Sequence, residues 1–249
     1  MEDTIIKALL LGYAHIECCG TPIRICLKKA QGLLFYLLVH KKATRDELTG
    51  LLWEGQDKEL ARRHLRDNLY HLKKVVPIEL VVPAGRSAIQ LNPELGFYID
   101  VDEFLKAVDV EAYQGEFLKG FSVPNCYEYE EWLERTRTSL REAYLQQLDK
   151  RAEFCLSEGR DGEAEALWRK YLQEEPLCET VSIPLMRFYR AQKDYNRAAL
   201  IYRGLHKAMA DTLGIAPLKD TSELYYSIMK EWNEQSENGE ISDDFLVGR

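Results

Sequence analysis

The strongest alternation of apolar and polar positions lies between Gln56 and Val76. On a helix, with about 100° per residue, its apolar residues fall into one stripe because they are spaced three or four positions apart. This stripe consists of Ala61, Leu65, Leu69, Leu72 and Val76. The pattern predicts an amphipathic helix with this stripe buried.

The opposite face of the predicted helix is basic and carries flat hydrogen-bonding groups. Opposite the stripe lie Arg63, Asp67, Tyr70, His71 and Lys74, with Arg62, Arg66 and Lys73 on one flank and His64 on the other. Such a helix suits the major groove of double-stranded DNA, where phosphates attract basic side chains and base edges offer acceptors. An ordinary solvated face has the same composition, so the flanking sequence decides between the two interpretations.

The residues before this helix predict three short strands and two helices. The strands are expected at Ile6–Leu11, His15–Cys18 and Ile23–Cys26, and apolar residues at a helical period predict a first helix over Lys28–His40. After the link 41–43, Thr44 and Glu47 form a capping-box pattern that starts a short helix ending near Trp53. This order of helices is the plan of a helix-turn-helix.

The residues after Pro77 change from helical to strand periodicity. Glu79–Val82 and Ser87–Leu91 are predicted to be strands joined by a turn, and Phe97–Ile99 is a candidate third strand. The hairpin would be the wing of a winged helix. Arg86 at its tip is either a contact to the minor groove or a phosphate, or a solvated turn residue.

From residue 100 onward the chain is predicted to be entirely helical. A long helix is expected from Glu128 to Leu156, and a repeat at a spacing of 34 pairs Ala164 with Ala198 and Trp168 with Tyr202. These features are typical of tetratricopeptide units that stack as a short solenoid. Pro184 predicts a kink or a late helix start. The fold class is therefore an α+β winged helix-turn-helix over 1–99, then an all-α tetratricopeptide-like domain over 100–233, with an acidic, mobile tail over 234–249.

Charge is distributed unevenly along the chain. The net charge is −8, but residues 1–97 hold 14 Lys and Arg against 11 Asp and Glu, so the acidic excess lies in the rest. Only the N-terminal part is suited to approach a polyanion.

No apolar run is long enough to cross a bilayer, which predicts a cytoplasmic protein with no membrane partner.

Motifs for catalysis or metal binding are absent from the sequence. It contains no G-x-x-x-x-G-K-[ST], G-x-S-x-G or H-E-x-x-H, and its six cysteines form no C-x-x-C pair. We therefore expect neither an enzyme nor a bound metal or cofactor.

No segment remains for a dedicated sensor, so the activity of the protein is expected to be controlled through its abundance or through a cavity in the helical domain.

The chain resembles the bacterial activators of the Streptomyces antibiotic regulatory protein type along nearly its whole length. The matching residues are Glu47-Leu48, Leu51-Leu52-Trp53, Ala61-Arg62-Arg63, Leu65-Arg66, Leu69, Leu72-Lys73-Lys74, Asp100-Val101-Asp102, Phe104, Tyr113, Gly115, Phe117-Leu118, Trp132-Leu133, Arg137, Pro176-Leu177, Glu179, Leu185-Met186, Leu213-Gly214-Ile215, Pro217 and Leu224-Tyr225. The resemblance implies a winged helix followed by a bacterial transcriptional activation domain. It also implies sequence-specific DNA binding, often at direct repeats, and contact with RNA polymerase.

By position, the resemblance assigns groove-facing or phosphate-facing places to Arg63, Asn68, Tyr70, His71, Lys73 and Lys74. Tyr70 and His71 stand where response-regulator relatives often have arginine, so base preference is not carried over. Asn68 lies nearer the buried side on a helical wheel. The full set of candidate DNA contacts is Arg62, Arg63, Arg66, Asp67, Asn68, Tyr70, His71, Lys73, Lys74 and Arg86.

The alternative is a protein-interaction module whose solenoid is the working part and whose winged helix no longer binds DNA. The acidic total and the Tyr70-His71 departure favour it, whereas the clustered basic residues on one helix favour the activator. In either case the solenoid offers a surface for a protein partner, which is a second copy in a homodimer or RNA polymerase.

Overall fold

The computed structural model describes residues 6–107 and 109–238. In chain order the elements are β1 (Ile6–Leu9), β2 (His15–Cys18), β3 (Thr21–Pro22), α1 (Lys28–His40), β4 (Lys42–Thr44), α2 (Arg45–Leu52), α3 (Lys58–Val75), β5 (Val81–Ala84), β6 (Ala88–Leu91), β7 (Phe97–Ile99), α4 (Asp100–Ala107), a 3-10 turn (Val110–Ala112), α5 (Tyr127–Ser157), α6 (Asp161–Glu174), α7 (Glu179–Ala191), α8 (Tyr195–Leu213) and α9 (Lys219–Asn238).

The chain divides into two compact units, Met1–Gln147 and Leu148–Arg249. The division falls within α5, whose first two thirds belong to the winged-helix unit. The change from mixed structure to helices occurs at residue 100, where β7 ends and α4 begins. The domain boundary between residues 99 and 100 stays a prediction.

A four-stranded sheet in the order β3-β2-β1-β7 opens the first unit. β1 pairs antiparallel with β2 and parallel with β7. The third strand is shorter and earlier than predicted, because β3 covers Thr21–Pro22 while Ile23–Cys26 is irregular. The strand at Phe97–Ile99 exists, but it joins this sheet and not the wing.

The helices of the winged helix agree closely with the predictions. α1 has the predicted bounds and buries eight residues. At the start of α2 the Thr44 hydroxyl accepts from the Glu47 N–H while the Glu47 side chain accepts from the Thr44 N–H, which confirms the capping box. The link before α2 is not a plain turn, because β4 pairs with β6 in the three-stranded wing sheet β4-β6-β5.

The second unit is a stack of helices joined by short links, as the 34-residue repeat predicts. Ala164 on α6 and Ala198 on α8 are fully buried, where small side chains let helices approach. Trp168 fills the core beside them, and Tyr202 stacks on Tyr225 with ring centroids 4.2 Å apart. The fold is therefore the predicted winged helix followed by an all-α, tetratricopeptide-like part.

Two details of the helical region differ from expectation. α7 begins at Glu179 and contains Pro184, which excludes the late start, one of the two alternatives that Pro184 predicted. α9 continues to Asn238, past the predicted start of the tail at residue 234. The rest of that tail, 239–249, lies outside the described residues. None of the described helices is long and apolar enough to span a membrane.

Candidate nucleic-acid interface

α3 is an 18-residue helix, about 27 Å long at 1.5 Å per residue. Its first turn is capped by Asp57, whose carboxylate accepts from the N–H groups of Glu59 and Leu60 at 2.9 and 3.2 Å. Four members of the predicted stripe are buried, and the fifth, Leu69, is half-buried. The periodicity therefore identified correctly the face of α3 that packs on the core.

The helix before α3 is fixed to its surroundings through one carboxylate. Besides its role in the capping box, Glu47 accepts a hydrogen bond from the Tyr36 hydroxyl of α1 at 2.6 Å. Burial, followed by this bond to Glu47, raises the pKa of Tyr36 above its ordinary value, so the phenol stays a donor. α2 is thereby held against α1 on one side while it packs on α3.

The exposed face of α3 carries seven of the ten candidate DNA contacts. Two of its cations are already paired, Arg62 with Asp46 at 3.1 Å and Lys73 with Glu79 at 2.9 Å. These pairs are solvent-exposed and therefore worth little, so a phosphate can compete for either cation. The exposed candidates are Arg62, Arg63, Arg66, Asp67, Tyr70, Lys73 and Lys74.

Arg63 and Arg66 are the unpaired arginines of this face. Both side chains are exposed, and within residues 6–107 and 109–238 neither has a hydrogen-bond or ion-pair partner. Asp67 follows Arg63 by four positions on the same face and is also unpaired within these ranges. Two free guanidinium groups one turn apart are well placed for phosphates or for guanine, whose major-groove edge accepts bidentate hydrogen bonds.

Tyr70 and Lys74 form a pair on the outer face. The Tyr70 side chain is 60% exposed, and the Lys74 ammonium lies over its ring, 4.6 Å from the centroid. The aromatic face keeps this cation beside the phenol hydroxyl. Tyr70 and Lys74 thus place a hydroxyl donor and a positive charge together at this point of the helix.

His71 and Asn68 do not lie on the exposed face. The His71 side chain is half-buried, and its Nε2 atom is enclosed without a hydrogen-bond partner among the described residues. Asn68 is also half-buried and donates from Nδ2 to the His64 carbonyl oxygen at 2.8 Å. The expectation that His71 faces outward is corrected, because the side chain is half-buried and its Nε2 atom is closed off from solvent.

The wing presents Arg86 as expected. Its hairpin pairs Ala84 with Ala88, and the loop contains Gly85 at φ 80°, a left-handed conformation that glycine adopts without strain. Arg86 is exposed and unpaired within the described part of the chain. It is therefore available to a phosphate, although it occupies an ordinary turn position.

Leu60 is a surface residue that the candidate set misses. It is 45% exposed and precedes Arg63, Asp67 and Lys74 by three, seven and fourteen positions, so it shares their face. An apolar group there suits contact with a thymine methyl group. The same helical spacing that identified Arg63 could have identified Leu60.

Residues 101–229, just over half of the chain, match the family described as bacterial transcriptional activator domain. The chain belongs to this family. Among solved structures, the fold is similar to that of Mycobacterium tuberculosis EmbR in complex with a low-affinity phosphopeptide, with a TM-score of 0.67 and 20% sequence identity. The match covers 91% of this chain and 65% of that chain. The comparison with curated proteins finds no match.

These findings confirm the resemblance to the Streptomyces antibiotic regulatory protein type. Residues 101–229 are thus an activator domain of a family of transcriptional regulators, and that family is not one of enzymes. The likeness to EmbR concerns the fold, and it extends over the winged helix as well as the activator domain.

Proposed function

We propose that this bacterial transcriptional activator binds promoter DNA sequence-specifically, with the exposed face of α3 in the major groove and the wing over the adjacent backbone. The observation that carries the proposal is the pair Arg63 and Arg66, exposed, unpaired within the described residues and projecting from a helix whose other side is packed on the core. Because α3 is already fixed on the core, it loses little conformational entropy on binding. The interaction of its free cations with DNA is therefore not offset by a cost of ordering the helix.

The solenoid complements this DNA-binding face. Its acidic composition disfavours contact with DNA, and stacked helices of this kind bind other proteins. We assign to it contact with RNA polymerase and with a second copy of the chain, which would suit direct repeats in a promoter. Such an activator works in the bacterial cytoplasm, on the nucleoid when it is bound to DNA.

A protein-interaction scaffold is the second candidate. It is favoured by the pairing of Arg62 and Lys73 with carboxylates and by the inward position of His71, which together reduce the basic surface of α3. Under this alternative α3 would not bind duplex, and the solenoid alone would be functional.

Salt-dependent binding distinguishes the two candidates. Fluorescence anisotropy of the full chain should be measured with short labelled duplexes selected from a random-sequence pool, across a series of salt concentrations. With about four to eight phosphate contacts, log affinity should fall against log salt with a slope of about −4 to −7, near −0.9 per phosphate. A flat response, or failure to enrich any duplex, would favour the scaffold.

A further inference from the structure

A cavity of about 210 Å³ lies within the winged helix, between the second half of α3 and the wing. Its walls are contributed by α3, by the start of α2, by the segment before β5 and by the hairpin, all within the first compact unit. The lining is mainly apolar, and its aliphatic members are Leu69, Leu72, Leu80, Val81, Val82, Pro83 and Ile89. Leu69 is the stripe residue that stays half-buried, because it faces this space.

Three charged residues stand around this cavity, and their charges do not balance. Lys73 and Glu79 neutralise one another through their ion pair. The remaining charge belongs to Arg45, the first residue of α2, which is half-buried. Its backbone N–H donates to the Ser87 carbonyl oxygen, but its guanidinium has no partner among the described residues.

Arg45 gives this cavity a free positive charge, because its guanidinium has no acceptor among the described residues. An anion bound beside it would supply that acceptor. Small-molecule sites combine these two elements, an apolar enclosure and a few polar groups that orient the ligand. A volume below the usual range of about 300–1,000 Å³ suits a short chain or a single ring.

We propose that this cavity binds a small amphiphilic monocarboxylate, with its apolar body among Leu69, Val82 and Ile89 and its carboxylate on the Arg45 guanidinium. The guanidinium fork pairs with a carboxylate through two parallel hydrogen bonds, which supplies both charge complementarity and orientation. The sequence suggested a regulatory cavity in the helical domain, whereas the structure places a candidate in the winged helix.

A DNA phosphate is the competing partner for Arg45. A phosphate would pair with the guanidinium, but it would gain nothing from the seven aliphatic side chains that line the rest of the cavity. The apolar lining therefore favours the amphiphile. Tyr70 and Lys73 belong both to this lining and to the exposed face of α3. A bound ligand would therefore change the affinity of α3 for duplex DNA. Only this effect on DNA binding rests on the proposed function.

The test is a titration of the full chain with octanoate, without DNA, followed by methyl-resolved NMR and calorimetry. Octanol serves as the neutral probe of matched chain length, and acetate as the anion without a chain. We expect saturable octanoate binding with shifts at Leu69, Val82 and Ile89, and at least tenfold weaker binding of both other probes.

Three variants complete the test. Arg45→Gln should weaken octanoate binding at least tenfold, and Val82→Phe should reduce it by filling the cavity, while Arg86→Gln on the same hairpin should leave it unchanged. Circular dichroism and thermal melts identify any variant that does not fold. In that case the comparison of octanoate, octanol and acetate binding to the wild type still tests the proposal. Absent saturation, equal binding of octanol, or shifts elsewhere would overturn the proposal.

Duplex binding of Arg45→Gln tests whether Arg45 contacts a DNA phosphate and not a small ligand. If this variant loses duplex affinity while the wild type binds no octanoate, Arg45 is a phosphate contact and the ligand proposal fails with the proposed function intact. If octanoate binds as expected and no duplex is enriched, the ligand site stands and the DNA-binding proposal fails.

Discussion

The Glu54 carboxylate accepts a hydrogen bond from the backbone N–H of Tyr127 at 2.8 Å, and a second from the N–H of Glu128 at 3.2 Å. Glu54 lies in the loop between α2 and α3, whereas Tyr127 is the first residue of α5. A carboxylate at this point satisfies N–H groups that have no partner within the helix and interacts favourably with the helix dipole. The loop that precedes α3 is thus tied to the start of α5 within the first compact unit.

Glu54→Ala should lower the free energy of unfolding by about 0.5–2 kcal/mol, because the first turn of α5 loses its cap. Urea denaturation monitored by circular dichroism measures the change. Glu153→Ala, at an exposed position later in α5, is the matched control and should change stability by less than about 0.5 kcal/mol. Equal effects of the two substitutions would show that the cap contributes nothing.

Arg63→Ala should weaken duplex binding by about 1–3 kcal/mol if the guanidinium contacts a base, without loss of helicity. The side chain points away from the buried stripe, so no packing is lost. Anisotropy titration measures the affinity and a thermal melt monitors the fold. Arg203→Ala, at an exposed position on α8, is the control of equal charge change. If Arg63→Ala lowered the melting temperature as much as a core substitution does, the exposed face of α3 would be assigned wrongly.

Gly32→Ala and Gly204→Ala should change stability in opposite directions. A Cβ on Gly32 of α1 would lie 3.1 Å from both Tyr129 and Val123, which are buried, whereas nothing lies within 4 Å at Gly204 of α8. Overpacking should make the first variant less stable by about 1 kcal/mol, and better helix propensity should make the second more stable by a similar amount. Denaturant midpoints test this, and a gain in both variants would contradict the close packing of α1 on α5.

Acid should destabilise the protein through His40. Its Nε2 accepts a hydrogen bond from the Trp132 indole N–H at 3.0 Å, and desolvation by burial lowers the pKa of His40. His40 therefore binds a proton more readily in the unfolded chain than in the folded one. The stabilisation by neutral His40 is present above about pH 6.5 and is lost as the pH falls towards the lowered pKa.

His40→Gln is the variant that isolates this titration. A glutamine oxygen accepts from Trp132 at any pH, so the wild type should lose more stability than the variant between neutral and mildly acidic pH. Unfolding free energies across this range give the difference, with His206→Gln on α8 as the control. Parallel pH profiles for wild type and His40→Gln would rule out the role of His40.

Local patterns in the sequence were sufficient for most of the secondary structure. The 3.6-residue period located α3 and its buried stripe, and the spacing of Thr44 and Glu47 located the start of α2, because helical periodicity and capping depend on residues within a few positions. The repeat that pairs Ala164 with Ala198 identified the helical stack for the same reason, since each unit repeats its own local packing.

Only the tertiary structure decided which of these elements meet. β7 joins the sheet of β1, β4 joins the wing, and Glu54 reaches the start of α5, although no local period encodes a partner more than 40 residues away. The sequence by itself thus determined the elements and the basic face of α3, through interactions between near neighbours. The inward position of His71 and the unpaired Arg45 beside an apolar cavity depend on which distant segments cover them, and burial of that kind exists only once the chain has packed.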